Sequence, residues 1–133
     1  MNKVITQIDS RGVAQVTLNN PDKHNAFDDQ MIIELTNAFN ALAVNANVRI
    51  MLLKSEGKSF SAGADLNWMK RMASYSYQQN LNDAYALAAM LKALHQMPMP
   101  TIAKVQGAAF GGAVGLISCC DIAVSSFNAS FAL

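Results

Sequence analysis

Two runs of small residues are where this 133-residue sequence leaves backbone groups most open to chemistry. They are Ser59-Phe60-Ser61-Ala62-Gly63-Ala64-Asp65-Leu66 and Gln106-Gly107-Ala108-Ala109-Phe110-Gly111-Gly112-Ala113-Val114-Gly115. Each follows a predicted buried strand and precedes a predicted helix, where the first N–H groups have no intrahelical partner and sit at the helix's positive end. Residues without bulky side chains let an anion or a polarised carbonyl approach those groups. Two such turns facing each other would make an oxyanion hole, while either one alone also serves tight turning and close packing.

Other chemistries fit the residues less well. Gly57-Lys58-Ser59 resembles the end of a phosphate-binding P-loop, but the glycine that pattern needs five positions earlier is Leu52. The Gly-x-Ser-x-Gly elbow of serine hydrolases is absent around Ser59 and Ser61. His24 and His95 have no metal-ligating partners at useful spacing, so no metal is expected, and His95 suits a helix C-terminus. Asp65 is the carboxylate in the first small-residue run, and it fits the cap of the helix that follows better than an acid or base. Trp68, Met69 and Met72 read as packing or pocket lining. Cys119 and Cys120 are adjacent and so poorly placed for a disulfide, as expected of reduced thiols in a cytoplasmic protein.

Composition narrows the classes further. Hydrophobic residues make up 52% of the chain, enough for a sizeable core in one domain. Ten Lys and Arg against nine Asp and Glu give no basic footprint, so no nucleic-acid partner is expected. The N-terminal residues alternate apolar with polar and carry no signal-peptide pattern, which again points to the cytoplasm. Residues 105–120 are uncharged, but sixteen positions fall short of the ~18–20 that cross a bilayer, so no membrane partner is expected.

The elements that must position these turns are readable from periodicity. Residues 4–8 and 13–18 are β-rich and flank Asp9-Ser10-Arg11-Gly12, predicting a hairpin. Ile32, Leu35, Phe39 and Leu42 recur at helical spacing after Asp28, a fitting first-turn residue. Between the charges of Arg49 and Lys54, residues 50–53 form a short continuous apolar run, predicting a strand buried on both faces. A helix is expected over 77–97, with Leu81, Tyr85, Ala88, Leu91 and Leu94 on one face, stopped by Pro98 and Pro100. Strands are expected at 101–105 and 121–124, a helix from the second small-residue turn through Cys120, and a strand-like apolar segment at 127–133.

Taken in order, Pro21-Asp22-Lys23-His24-Asn25-Ala26, the run from Ser59 to Leu66, Gly107-Ala108-Ala109-Phe110-Gly111-Gly112 and Cys120-Asp121-Ile122-Ala123 resemble the signatures of the crotonase, or enoyl-CoA hydratase/isomerase, superfamily. The resemblance covers essentially the whole chain. It implies an α/β, crotonase-like (ClpP/crotonase) ββα spiral, with residues 1–133 the N-terminal part of a single domain truncated before the C-terminal helical region. It also implies a lyase or isomerase acting on an acyl-CoA thioester, with coenzyme A brought by the substrate and no separate cofactor. By the same resemblance the N–H groups of Ala64 and Gly112 would hold the thioester oxygen, and Lys23, Ala26, Ala62, Ala64, Asp65, Leu66 and Gly112 would line the acyl-CoA site.

One departure from the family pattern bears on mechanism. Hydratases of this superfamily carry a catalytic glutamate three residues after the oxyanion glycine, where this chain has Gly115. Some relatives acting on branched glutaconyl-type CoA esters lack that acid too. A non-catalytic acyl-CoA-binding or assembly fragment, or another crotonase activity such as isomerase, thioesterase or dehalogenase, therefore stands as the alternative. The apolar segment at 127–133, where the resembling family continues, leads to an expectation of self-association as a homo-oligomer.

Overall fold

In the computed structural model, which describes residues 2–133, the two N-terminal alternations form an antiparallel hairpin of β1 (Val4–Ile8) and β2 (Val13–Leu18). Gly12 turns it at φ +83, and the Asp9 carboxylate holds the turn by accepting from the backbone N–H groups of Arg11 and Val13 at 2.9 and 3.1 Å. Beyond the hairpin every strand added to the sheet is parallel to its neighbour. The sheet runs β1, β2, β3 (Ile50–Ser55), β4 (Thr101–Val105), β6 (Ile122–Ser125). A second, two-stranded parallel sheet pairs β5 (Ala109–Phe110) with β7 (Phe131–Ala132).

Parallel neighbours need crossovers, and the helices supply them. α1 (Asp29–Ala43) links β2 to β3; α2 (Leu66–Met72) and α3 (Tyr77–His95) link β3 to β4; α4 (Gly112–Cys119) links β4 towards β6. Crossover helices of this kind run back against the strands, so α3 and α4 begin at the end of the sheet where β3 and β4 finish. Both small-residue turns lie at that end.

The core forms between one face of the sheet and the helices. Met31, Leu35 and Phe39 of α1 bury completely with Val16, Met51, Leu53 and Ala103 of the strands, each large side chain contributing roughly 1.5–3 kcal/mol by leaving water. The opposite face stays partly open. β3 was expected to bury both faces, but only Met51 and Leu53 are buried while Ile50 and Leu52 are half-buried, because the helices cover one side.

The face of α3 also differs from the expected one. Met90 and Leu94 are buried, and Leu87 and Leu91 pack against the core, whereas Tyr85 is 65% exposed and Ala88 is exposed. An alanine-rich helix has two weak stripes, and contact with α1 and α4 decides between them. The segment at 127–133 is strand only at Phe131–Ala132, and it pairs with β5 instead of extending the main sheet. Among the described residues no helix is long and apolar enough to cross a membrane, and no group of three metal-ligating side chains comes together.

α1 starts on a charged knot. The Asp28 carboxylate accepts from the Met31 N–H at 2.9 Å as N-cap and pairs with the Lys3 ammonium. Burial raises the carboxyl's pKa, yet the Lys3 ammonium and the Met31 N–H outweigh it and hold the carboxyl below its usual 3.8. A depressed carboxyl stabilises the fold above its unfolded pKa and loses that contribution as pH falls through the folded one. Asp28→Ala should therefore cost about 0.5–2 kcal/mol at neutral pH. The gap to wild type should close as pH drops below the usual carboxyl value, as measured by urea denaturation across a pH series.

Candidate functional site

The two turns meet because side chains are missing where they touch. A Cβ on Gly63, which sits at φ +88, would come within 3.0 Å of the Phe110 carbonyl oxygen and 3.8 Å of the Gly111 Cα. Gly111 sits at φ +57, and Gly107 lies so close to Lys58 that a Cβ would fall 1.9 Å from its carbonyl oxygen. Backbone hydrogen bonds seal the approach: Ser61 N donates to Ala108 O at 3.1 Å and Phe110 N to Ser61 O at 2.9 Å. A sheet-like bridge between Ser61 and Ala109 results.

A third strip of backbone, residues 24–27, lies along the first turn. Ala62 N donates to His24 O at 2.9 Å, Phe27 N to Gly63 O at 2.7 Å, and Asp65 N to Phe27 O at 2.7 Å. Asn25 fixes this strip. It is fully buried at φ +53, a left-handed conformation that asparagine tolerates better than most residues. Its amide accepts from Asn20 N at 2.8 Å and donates to Glu56 O and Ser59 O at 2.8 and 3.1 Å. Ser61 Oγ donates to Asn25 O at 2.8 Å and accepts from Gly63 N at 3.3 Å. Gln106, at the end of β4, donates from its amide to Gly57 O at 3.0 Å and Ser55 Oγ at 2.9 Å, tying down the loop before the first turn.

These bonds use the N–H groups on both sides of Ala64. Ser61, Ala62, Gly63 and Asp65 all donate; among the described residues Ala64 N has no acceptor. The second turn repeats the pattern. Ala109, Phe110 and Gly111 donate to Ser130, Ser61 and Ala132, and the next N–H, that of Gly112, opens α4 with no acceptor among the described residues. Ala64 and Gly112 thus directly follow the neighbouring pair Gly63 and Gly111, and the N–H of each is without an acceptor among the described residues.

A cleft of about 520 Å³ opens beside the first turn, lined by Lys23, Ala26, Ala62, Ala64, Asp65 and Leu66, all six named from the sequence. His24, Asn67 and Lys70 complete it and were not named, since nothing in their spacing marks them. Gly112 stands off the cleft wall, joined to it through the Gly63 and Gly111 contact. Asp65 caps α2, accepting from Trp68 N at 2.9 Å, and lies 3.8 Å from the Lys23 ammonium. The cap role, one of the two open for it, is thus filled.

The cysteines supply no nucleophile near neutrality. Both are free; burial alone pushes Cys119 up, and burial, partly offset by a hydrogen bond with Thr101, pushes Cys120 to about 11. Gly115 lies one turn into α4, where a Cβ would meet the Leu91 methyls at 3.5 and 3.6 Å, ordinary contact distance.

Residues 9–133 match the enoyl-CoA hydratase/isomerase family. The chain belongs to that family. It carries the N-terminal half of the crotonase fold. A crystal structure of an enoyl-CoA hydratase from Shewanella pealeana is 50% identical with a TM-score of 0.94, over 97% of this chain and 48% of that one. A Thermus thermophilus protein provisionally named an enoyl-CoA hydratase is 33% identical over 90% of this chain and 47% of its own length. A 4-chlorobenzoyl coenzyme A dehalogenase of an Arthrobacter species is 33% identical over 90% of this chain and 44% of its own. The chain spans about half the length of the relatives it matches.

Asn25→Ala should dismantle the site's scaffold. It leaves Asn20 N and Glu56 O without the side-chain partner they have now, while Ser59 O keeps Ser55 Oγ and Gln106 Nε2, at about 1–3 kcal/mol for each group that stays buried and unpaired. Thermal denaturation should show a large loss, against almost none for an exposed control such as Asn82→Ala.

Proposed function

We propose that this chain binds an acyl-CoA thioester with its carbonyl oxygen between the N–H groups of Ala64 and Gly112, as part of an enoyl-CoA hydratase/isomerase-type enzyme. The observation that carries this reading is that the N–H groups of Ala64 and Gly112, each directly after one of the neighbouring glycines Gly63 and Gly111, have no acceptor among the described residues while the N–H groups of Gly63 and Gly111 donate. A thioester oxygen gains negative charge when the α-carbon is deprotonated or a nucleophile adds to the conjugated double bond. Two fixed N–H groups, one opening α4 at its positive end, stabilise that charge without reorganising water.

The cleft suits the rest of such a ligand. Lys23 and Lys70 offer cations for phosphate groups, and Ala26, Ala62 and Leu66 offer a low apolar wall for a pantetheine chain. Asp65, engaged as cap and beside Lys23, serves to hold α2 in this reading and not as an acid. Gly115 supplies no carboxyl one turn from the donors, and this favours the second reading, an acyl-CoA-binding half whose acid or base comes from elsewhere. Gly115→Glu tests that difference, since the open contact with Leu91 leaves room to begin a side chain there.

Self-association belongs to the same proposal. Ile122 and Val124 on the edge strand are 53% and 58% exposed, and Phe127 and Phe131 beyond it are exposed too, an apolar stripe that a second copy would cover. Light scattering at micromolar concentration should give an oligomer; a cooperatively melting monomer would reject this part.

Gly112→Pro removes one donor where proline is well tolerated, at the first position of a helix. It should weaken transition-state stabilisation by ~10²–10³ in kcat/KM for any acyl-CoA reaction the protein supports. Gly112→Ala, which keeps the N–H and needs Phe27 to yield only slightly from 3.3 Å, should retain most of it.

A further inference from the structure

Two lysines stand side by side on the open face of the main sheet. β3 and β4 are parallel, with Leu52 opposite Ile102 and Leu53 opposite Ala103, so the next position on each strand sets Lys54 beside Lys104. Leu53 and Ala103 are buried against the helices, and side chains alternate along a strand, so both lysines emerge on the other face. Neighbouring strands lie only ~4.7–4.9 Å apart, and like charges placed directly opposite each other repel.

A nearby carboxylate would relieve that repulsion, yet none is paired with either lysine. Of the four ion pairs among the described residues, none includes Lys54 or Lys104. Glu56 is exposed beside them and is in none of those pairs either.

The two lysines, Ser55, Glu56 and Gln106 line a cleft of about 200 Å³. It shares no lining residue with the cleft beside the first turn. Its polar lining is partly uncommitted. Gln106 Nε2 is fixed by donating to Ser55 Oγ at 2.9 Å and to Gly57 O at 3.0 Å. Ser55 Oγ has only long acceptors for its own hydrogen, Ser59 O at 3.3 Å and Gln106 Oε1 at 3.2 Å, against the ~2.7–2.8 Å usual for a hydroxyl. A hydroxyl hydrogen turns to suit its partner, so Ser55 is able to donate into the cleft. Two ammonium groups and a hydroxyl lining one cleft are a donor set for an oxyanion. The several oxygens of a phosphate answer three donors from different residues better than the two coplanar oxygens of a carboxylate.

We infer that Lys54, Lys104 and Ser55 form a phosphate-binding site, which takes the free ion or a small phosphate monoester. The site is independent of the thioester reading above. Titration calorimetry of the full chain with inorganic phosphate, at an ionic strength held constant with chloride, should give saturable binding. Lys54→Met and Lys104→Met keep the length of the side chain while removing its charge, and each should weaken that binding about tenfold. Glu56→Gln removes an opposing charge and should tighten it. Methyl phosphate binding as tightly as the free ion assigns the site to a monoester and weaker binding assigns it to the ion, either in support. No saturable binding, binding that survives both lysine substitutions, binding lost in Glu56→Gln, or binding weakened as much by Lys23→Met as by Lys54→Met overturns the inference. The thioester site is read separately, from acyl-CoA affinity, and stands or falls without it.

Discussion

Everything at the site depends on two peptide segments coming closer than side chains allow. Gly107 against the Lys58 carbonyl, and Gly63 against Phe110 and Gly111, are contacts of bare backbone. A methyl group at the first would overlap an oxygen, and the two turns would have to separate. The cost of that arrangement is local: glycine loses more freedom on folding than any other residue, and three of these turn glycines adopt left-handed or mirror conformations or near-contact geometry. Hydrogen bonds across the junction and the buried Asn25 offset it. The same bonds take up the N–H groups on both sides of Ala64 and those of the three residues before Gly112.

The rest of the chain serves to bring those turns to one end of the sheet. β3 and β4 are parallel neighbours, with Leu53 opposite Ala103, so the loops leaving them start side by side. α1 and α3 press on the inner face, and the charged knot of Lys3 with Asp28 fixes where α1 begins. Since Asp28 immediately follows Phe27, whose backbone brackets Ala64 by bonds to Gly63 and Asp65, the helix cap and the candidate donor share a few residues of scaffold. Destabilising the cap should thus be felt at the site before it is felt in the distant hairpin.

Much of this was legible in the sequence because it is written in short-range terms. The hairpin at 4–18, the α1 stripe of Ile32, Leu35, Phe39 and Leu42, and the small-residue turns all follow from periodicity or residue size. The family signatures named six residues that line one cleft. What escaped was tertiary. Which stripe of α3 faces inward depends on α1 and α4, and which face of β3 is covered depends on where three crossovers pass. Asn25 and Gln106 stand within the segments singled out, but their bonds to Glu56, Ser59 and Gly57 are long-range and leave no mark on local spacing. β5 was hidden because a two-residue strand has no period.

The division of labour within the chain bears on what kind of catalyst it can belong to. Stabilising a developing oxyanion needs only fixed dipoles, and these residues supply them; moving a proton needs an acid or a base, and the imidazole in the cleft, that of His24, is bonded to Ser59 Oγ at 3.1 Å. Asp65 is held by Trp68 N–H and Lys23, the thiols are pushed away from ionisation, and Gly115 has no side chain. A site built this way locks charge stabilisation into backbone that hardly tolerates change, since a Cβ at Gly107 or Gly63 would crowd a carbonyl oxygen.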